Sequence, residues 1–227
     1  MNKLVALLGW KYEPSWMVSE LKENLKGWVD DFCILDCRGR DELWIHEGEY
    51  RAKLRQMAKE KKADWAMFTS PDERWEKDAG KIIRPMIDNN KDRKILEPIL
   101  RELYTPNQYR IDGIWAGKYR RRIWPLLDGL TYKYQRIQCP SPPENPEFEV
   151  VNIPVNIYHL KMIEPENRKL RAEIFKKLDP TNEFQWCGYD YLANDDGMVL
   201  EEIPKGKEYY PKYRKYIFKV PENYLCE

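Results

Sequence analysis

The 227-residue chain has 39 Lys and Arg against 38 Asp and Glu, a formal net charge of +1. With 42 % hydrophobic and 34 % charged residues it is expected to fold around a buried core, which excludes a disordered chain. The balanced charge argues against a general nucleic-acid binder, and no apolar run nears the roughly 18 residues that a membrane span needs.

In chain order, Leu4-Val5-Ala6-Leu7-Leu8 is a continuous apolar run ending at Gly9, the pattern of a strand buried on both faces of a parallel sheet. Pro14 can open a helix, and Met17, Leu21, Leu25 and Trp28 form its apolar stripe. Phe32-Cys33-Ile34-Leu35 predicts a second strand, closed by Asp36-Cys37-Arg38-Gly39. Tyr50, Leu54 and Met57 mark a second helix, and Ala63 to Thr69 a third strand. This alternation predicts right-handed crossovers on a parallel sheet. Beyond residue 75, Ile95, Leu96, Ile99, Leu100 and Leu103 keep helical spacing, with a helix start near Glu97 because Pro98 would interrupt it. Tyr119 to Trp124 and Tyr132 to Ile137 could be strands, and the proline-rich stretch from Cys139 to Pro146 is a loop. Val151, Ile153, Val155 and Ile157 alternate as a strand with one buried face, and Pro154 suggests a sheet edge. A last helix runs from near Pro165 to Asp179-Pro180, and a Tyr- and Lys-rich tail from Lys205 is expected to wrap the surface. No linker divides the chain.

The start MNKLVALLGW turns polar too soon for a signal peptide. Five Cys (33, 37, 139, 187 and 226) without a CxxC pair predict reduced thiols and a cytoplasmic protein. The 9 Trp, 15 Tyr and 6 Phe exceed ordinary needs, and such rings serve cores and sugar or base platforms alike.

In open α/β sheets ligands bind beyond the carboxyl ends of the strands. Here those ends carry Gly9-Trp10-Lys11, Asp36-Cys37-Arg38 and Ser70-Pro71-Asp72-Glu73. Asp72 could hold a divalent ion that bridges a diphosphate, or Asp72 and Glu73 could cap a following helix. Asp36 could bond a ribose or base edge, or cap a turn. His159 is either a ligand or a satisfied structural histidine. The Arg120-Arg121-Arg122 run faces either phosphate or solvent, and Trp115 and Trp124 are either acceptor platforms or core.

Three stretches together resemble family two glycosyltransferases of bacterial or phage type: LVALLGWKYEP, VDDFCILDCRGRDE and ADWAMFTSPDERW. The segment IYHLKMIEPENRKLRAEIFKKLDP followed by GYDYLANDDG resembles the His-Leu-Lys region of such enzymes. The likeness runs over residues 3–75 and, less closely, 150–205. It implies a GT-A-like, Rossmann-like α/β fold with a mostly parallel sheet flanked by helices in a single domain. Residues 1–75 would then be the nucleotide-binding half, 76–204 the acceptor half with the metal-site His, and 205–227 the tail. It also implies metal-dependent transfer of a sugar from a nucleoside diphosphate sugar, a UDP-sugar above all, to a carbohydrate or other hydroxyl acceptor with inversion. Mn²⁺ or Mg²⁺ would be bound by Asp72 and His159. Asp36 would contact the base or ribose, and Lys11 or Arg55 the donor phosphates. Two positions depart from the family pattern: Ser70 replaces the first carboxylate of Asp-x-Asp, and Cys37 replaces an Asp after Asp36. The catalytic base falls among Asp112, Asp128 and Asp190, with Asp112 preferred beside Gly113 and Trp115. The alternative is a non-catalytic nucleotide- or carbohydrate-binding module on the same fold.

Overall fold

The first apolar run becomes β1 (Leu4–Trp10), buried from Leu4 through Gly9. It lies between β2 (Asp31–Asp36) and β3 (Trp65–Thr69), both parallel to it, with α1 (Ser15–Leu25) and α2 (Glu47–Glu60) as crossovers. The computed structural model describes residues 1–38, 46–89, 94–132, 137–144 and 148–219. α1 buries Met17, Val18, Leu21 and Leu25 on one sheet face, beside Ile83 and Ile87 of α3 (Ala79–Asn89). α2 buries Tyr50, Leu54 and Ala58 on the other face, against Cys33, Cys37 and Phe68. Helices therefore cover both faces, and each fully buried Leu or Met contributes about 1.5–3 kcal/mol. Gly9 is required by a close approach: a Cβ there would lie 2.4 Å from Cε2 of Tyr50.

The second half completes the sheet with β4 (Glu73–Trp75), β5 (Ile95–Thr105), β6 (Gln108–Arg110), β7 (Lys118–Tyr119), β8 (Ile123–Pro125), β9 (Val150–His159) and β10 (Leu200–Glu202). The main path is β10-β6-β5-β8-β3-β1-β2, and β9 pairs with β4 and β5. β8 runs antiparallel to both β3 and β5, and β9 is parallel to β5. Strands β1, β2, β3, β5 and β9 consequently point the same way. The sheet is mixed, not mostly parallel, because β6, β7 and β8 follow connections too short for a crossover helix. α4 (Pro165–Leu178) follows β9 and starts at the expected proline.

Two other expectations are corrected. Residues from Ile95 form strand β5, not a helix, since β8 and β9 pair with its two edges and satisfy its backbone there. Pro98 and Pro154 fall together in a register break between Glu97 and Ile99, so neither interrupts a ladder bond; β4 joins the other side of β9 only from Ile157, so among the described residues Pro154 does lie on an edge, as expected. α3 forms despite Pro85 inside it. The tail is more than a surface wrap, since Tyr209, Tyr216 and Phe218 are buried against Tyr158, Leu160 and Ile174. The expected strand at Tyr132 to Ile137 has its residues 133–136 outside the described residues, as are Gly39, Pro146 and Cys226. Cys33, Cys37, Cys139 and Cys187 are free thiols. Among the described residues no helix is long and apolar enough to cross a membrane.

Candidate functional site

The carboxyl ends of β1, β3, β5 and β9 meet at one cleft of about 830 Å³, within the range of small-ligand sites. Behind its lining residues Ser70, Pro71 and Glu73, the turn after β3 carries Asp72, whose side chain is fully buried and is not itself part of the lining. Its neighbours build that turn. The Glu73 carboxylate accepts from the Ser70 amide at 3.0 Å and the Thr69 hydroxyl at 3.1 Å, and pairs with Arg122 at 2.5 Å. The Arg74 guanidinium donates to the carbonyls of Pro71 and Glu73, both at 2.8 Å, and to Glu20 at 2.9 Å. Asp72 and Glu73 therefore cap no helix; Glu73 opens strand β4.

His159 ends β9 and lies opposite Glu102 of β5 in the sheet register. Its Nδ1 is 2.6 Å from Glu102 Oε2, and its Nε2 is 3.1 Å from Asp72 Oδ2. Burial alone would lower the imidazole pKa, but the carboxylates of Glu102 and Asp72 push it up to about 9. Lys161, two residues on, places Nζ 2.8 Å from Asp72 Oδ2, 3.7 Å from Glu13 Oε1 and 5.1 Å from the Tyr12 ring centre. Burial would raise the Asp72 carboxyl, yet Lys161 and His159 hold it well below the usual carboxylate range.

No family model matches the chain, and no curated protein matches it. The reading of this cleft therefore rests on its own chemistry.

Asp72 and His159, paired from sequence, do come together. Glu102 holds the far nitrogen of His159, the arrangement by which a carboxylate orients an imidazole toward a metal. Among the described residues Asp72 Oδ1 is buried with no hydrogen-bond partner, whereas Oδ2 is held by Lys161 and His159. A divalent ion would have Oδ1 open to it and would have to take His159 Nε2 away from Oδ2. Among the described residues no three His, Cys, Asp or Glu side chains are grouped to hold one alone, so its remaining ligands would come from solution.

Other expected residues are distributed differently. Lys11 lines the cleft, 4.0 Å from Glu47. Arg55 does not; its guanidinium bonds the Leu127 carbonyl. α2 runs back from the rim, and each turn carries its side chains about 5.4 Å further away. Arg51, one turn earlier, lines the cleft instead, with its guanidinium 3.8 Å from the Phe68 ring centre and Nε and Nη1 buried without partners. Asp36 is not among the cleft-lining residues. It is chelated by Arg38 at 2.9 and 2.7 Å, as a turn former would be.

Asp112 is likewise outside the cleft lining. Both its oxygens accept from Arg110 at 2.8 Å, and one also accepts from the Val199 amide at 3.0 Å. This tie gives it a structural role at that corner, away from the cleft. Asp128 pairs with Lys59 at 2.6 Å and Asp190 pairs with Lys176, both outside the cleft lining. Trp124 is core, whereas Trp115 is packed beside Tyr104 and also lines the cleft. Of the arginine run, Arg121 and Arg122 are paired with Glu97 and Glu73. Sequence reasoning missed Glu102, Lys161, Arg51 and Glu13. Lys161 stood in the His-Leu-Lys stretch and Glu13 in LVALLGWKYEP, whereas Glu102 and Arg51 acquire meaning through cross-strand and cross-element neighbours.

Proposed function

We propose that this chain is a glycosyltransferase that moves a sugar from a nucleoside diphosphate sugar to a hydroxyl acceptor with inversion. One observation supports the reading: His159 and Glu102, linked to the buried Asp72 behind them, stand in a cleft lined by eight Lys and Arg but five Glu. In a chain of net charge +1, that local excess suits a diphosphate.

Arg51 and Lys11, both in the cleft lining, bind the donor phosphates as charge-assisted donors. Asp72 and His159 would hold Mn²⁺ or Mg²⁺, which supplies charge neutralisation at the departing diphosphate. Glu102 keeps the His159 ring in one orientation. Lys161 contributes a fixed positive charge on the same side, so part of that neutralisation belongs to the chain itself. Glu13 takes the acceptor proton. It lines the cleft, and its cation partner Lys161 is at 3.7 Å, beyond a tight ion pair. As the acceptor oxygen bonds to the anomeric carbon, the bond to phosphate oxygen breaks and its electron pair leaves with the nucleoside diphosphate.

Thermal unfolding with UDP tests this reading. At 100 times its dissociation constant UDP should add about 2.7 kcal/mol of apparent stability, more with Mn²⁺ than with chelator. Asp72→Asn should remove the ion-dependent part. No shift with UDP under either condition would end the nucleotide reading. Ser70, in place of a first carboxylate, favours the binding-module alternative; UDP-sugar that binds but is never cleaved would establish that one.

A further inference from the structure

Five of the eight Lys and Arg lining the cleft have a carboxylate within 4.0 Å. Lys118, Arg120 and Arg171 have none among the described residues. They reach the cleft from separate places. Lys118 belongs to β7 and is registered against Leu100. Arg120 follows on the extended chain, its amide bonded to the Pro98 carbonyl at 3.0 Å. Arg171 comes from α4, where its nearest polar tie is the Met162 sulfur at 3.3 Å. The acid that acts on both Lys118 and Arg171 is Glu102, and His159 already holds it at 2.6 Å. Burial lowers the Lys118 ammonium, and Arg120 and Arg171 press it further the same way. Three like charges gathered on one wall repel unless a counter-charge arrives from solution.

The wall is also aromatic. Lys118 Nζ lies 4.8 Å from the centre of the Trp115 ring, and Tyr191 packs 5.4 Å from Trp115. The donor half has its own cations, Lys11 and Arg51. Lys161 stands between the two sets, since it acts on Lys11 on one side and is acted on by Arg171 on the other.

We infer that Lys118, Arg120 and Arg171 form a subsite for an anionic group, phosphate or carboxylate, carried by the acceptor. The acceptor is then an acidic or phosphorylated sugar, not a neutral one. This rests on reading the cleft as a donor–acceptor site.

Calorimetric titration of the full chain, saturated with UDP and Mn²⁺, tests it with three probes: glucose 1-phosphate, glucuronate and methyl glucoside. At least one charged sugar should bind roughly tenfold more tightly than the neutral one, as a charge-assisted hydrogen bond provides, and that affinity should fall with added salt. The better of the two names the group as phosphate or carboxylate. Arg171→Gln, and Lys118→Gln with Arg120→Gln, should each cost about tenfold in that affinity and less than about twofold in UDP affinity, because each removes the charge of one such bond. Arg120 is exposed and Lys118 and Arg171 are half-buried, and an unchanged circular dichroism spectrum confirms that the variants fold. Equal affinity for charged and neutral sugars, or no binding by any of them, overturns the inference. So does a parallel loss of UDP affinity, which would hand these cations to the donor diphosphate. If UDP fails to bind the unaltered chain while glucose 1-phosphate binds and Arg171→Gln abolishes it, the nucleotide reading fails and the anion subsite stands.

Discussion

Arg51 and Arg55 differ by one helical turn, and that turn separates a cleft residue from a structural one. Arg51→Gln should weaken UDP binding at least about tenfold, the loss expected for one charge-assisted hydrogen bond, whereas Arg55→Gln should leave it unchanged. Calorimetry on the two variants makes the comparison. Glu13 has a second distinguishing property. Burial raises its carboxyl above the ordinary value of 4.5, against the opposing pull of Lys161. A base works only when deprotonated, so transfer should fall as pH drops through that raised value, higher than an exposed glutamate would give. Glu13→Gln should lower turnover by roughly two to four orders of magnitude and flatten the acid limb of the pH–rate profile. A variant with unchanged rate and unchanged limb would remove Glu13 from the mechanism.

Asp112 acts between elements. Its carboxylate joins Arg110 at the end of β6 to the Val199 amide just before β10, closing that corner of the sheet. Asp112→Ala should cost about 1–3 kcal/mol in urea unfolding, the penalty for leaving buried partners unpaired, with transfer at saturating donor nearly unchanged. Arg110 beside it holds the carboxyl down to about 2, against an ordinary value of 3.8. A depressed carboxylate stabilises the fold above its ordinary value and loses that contribution as pH falls through its folded one. Stability should therefore decline between about pH 4 and pH 2, and the Ala variant should show a shallower decline. The β5 and β9 pair has a comparable role for the site: their parallel register places Glu102 opposite His159, so the second carboxylate of the cluster is an element-level consequence.

The described part of the tail packs against the loop after β1. Phe218 is buried, its ring 4.9 Å from that of Tyr12 in the loop after β1, and Lys161 Nζ lies 5.8 Å from the same ring. The tail thus packs under the cation that neutralises Asp72. Phe218→Ala should cost about 3–5 kcal/mol, the range for deleting a buried phenyl ring, and should also weaken the UDP shift because Lys161 loses its backing. Thermal unfolding with and without UDP reads both effects. Retained ligand response in a destabilised variant would confine the tail to a structural role.

Local pattern was enough for the parallel core. Leu4 to Leu8, the stripe from Met17 to Leu25 and the run to Thr69 each bury an uninterrupted apolar face, so β1, α1 and β3 follow from residue order alone. The same held for α4, where Pro165 sets the first turn, and for the pairing of Asp72 with His159, which came through likeness to known enzymes. Where a segment's neighbours decide its state, pattern failed. Ile95 to Leu103 carries helical spacing yet pairs on both sides, and Pro98 and Pro154 are tolerated because they share one register break. The rest of the site has the same origin. Arg51 rather than Arg55 follows from the direction in which α2 leaves the rim, and Asp112 is tied to an arginine two residues away, outside the cleft lining. Glu102 reaches His159 across 57 residues of chain and Glu13 reaches Lys161 across the cleft. Such contacts have no period in the sequence; they exist only once the strands are in register and the tail is packed.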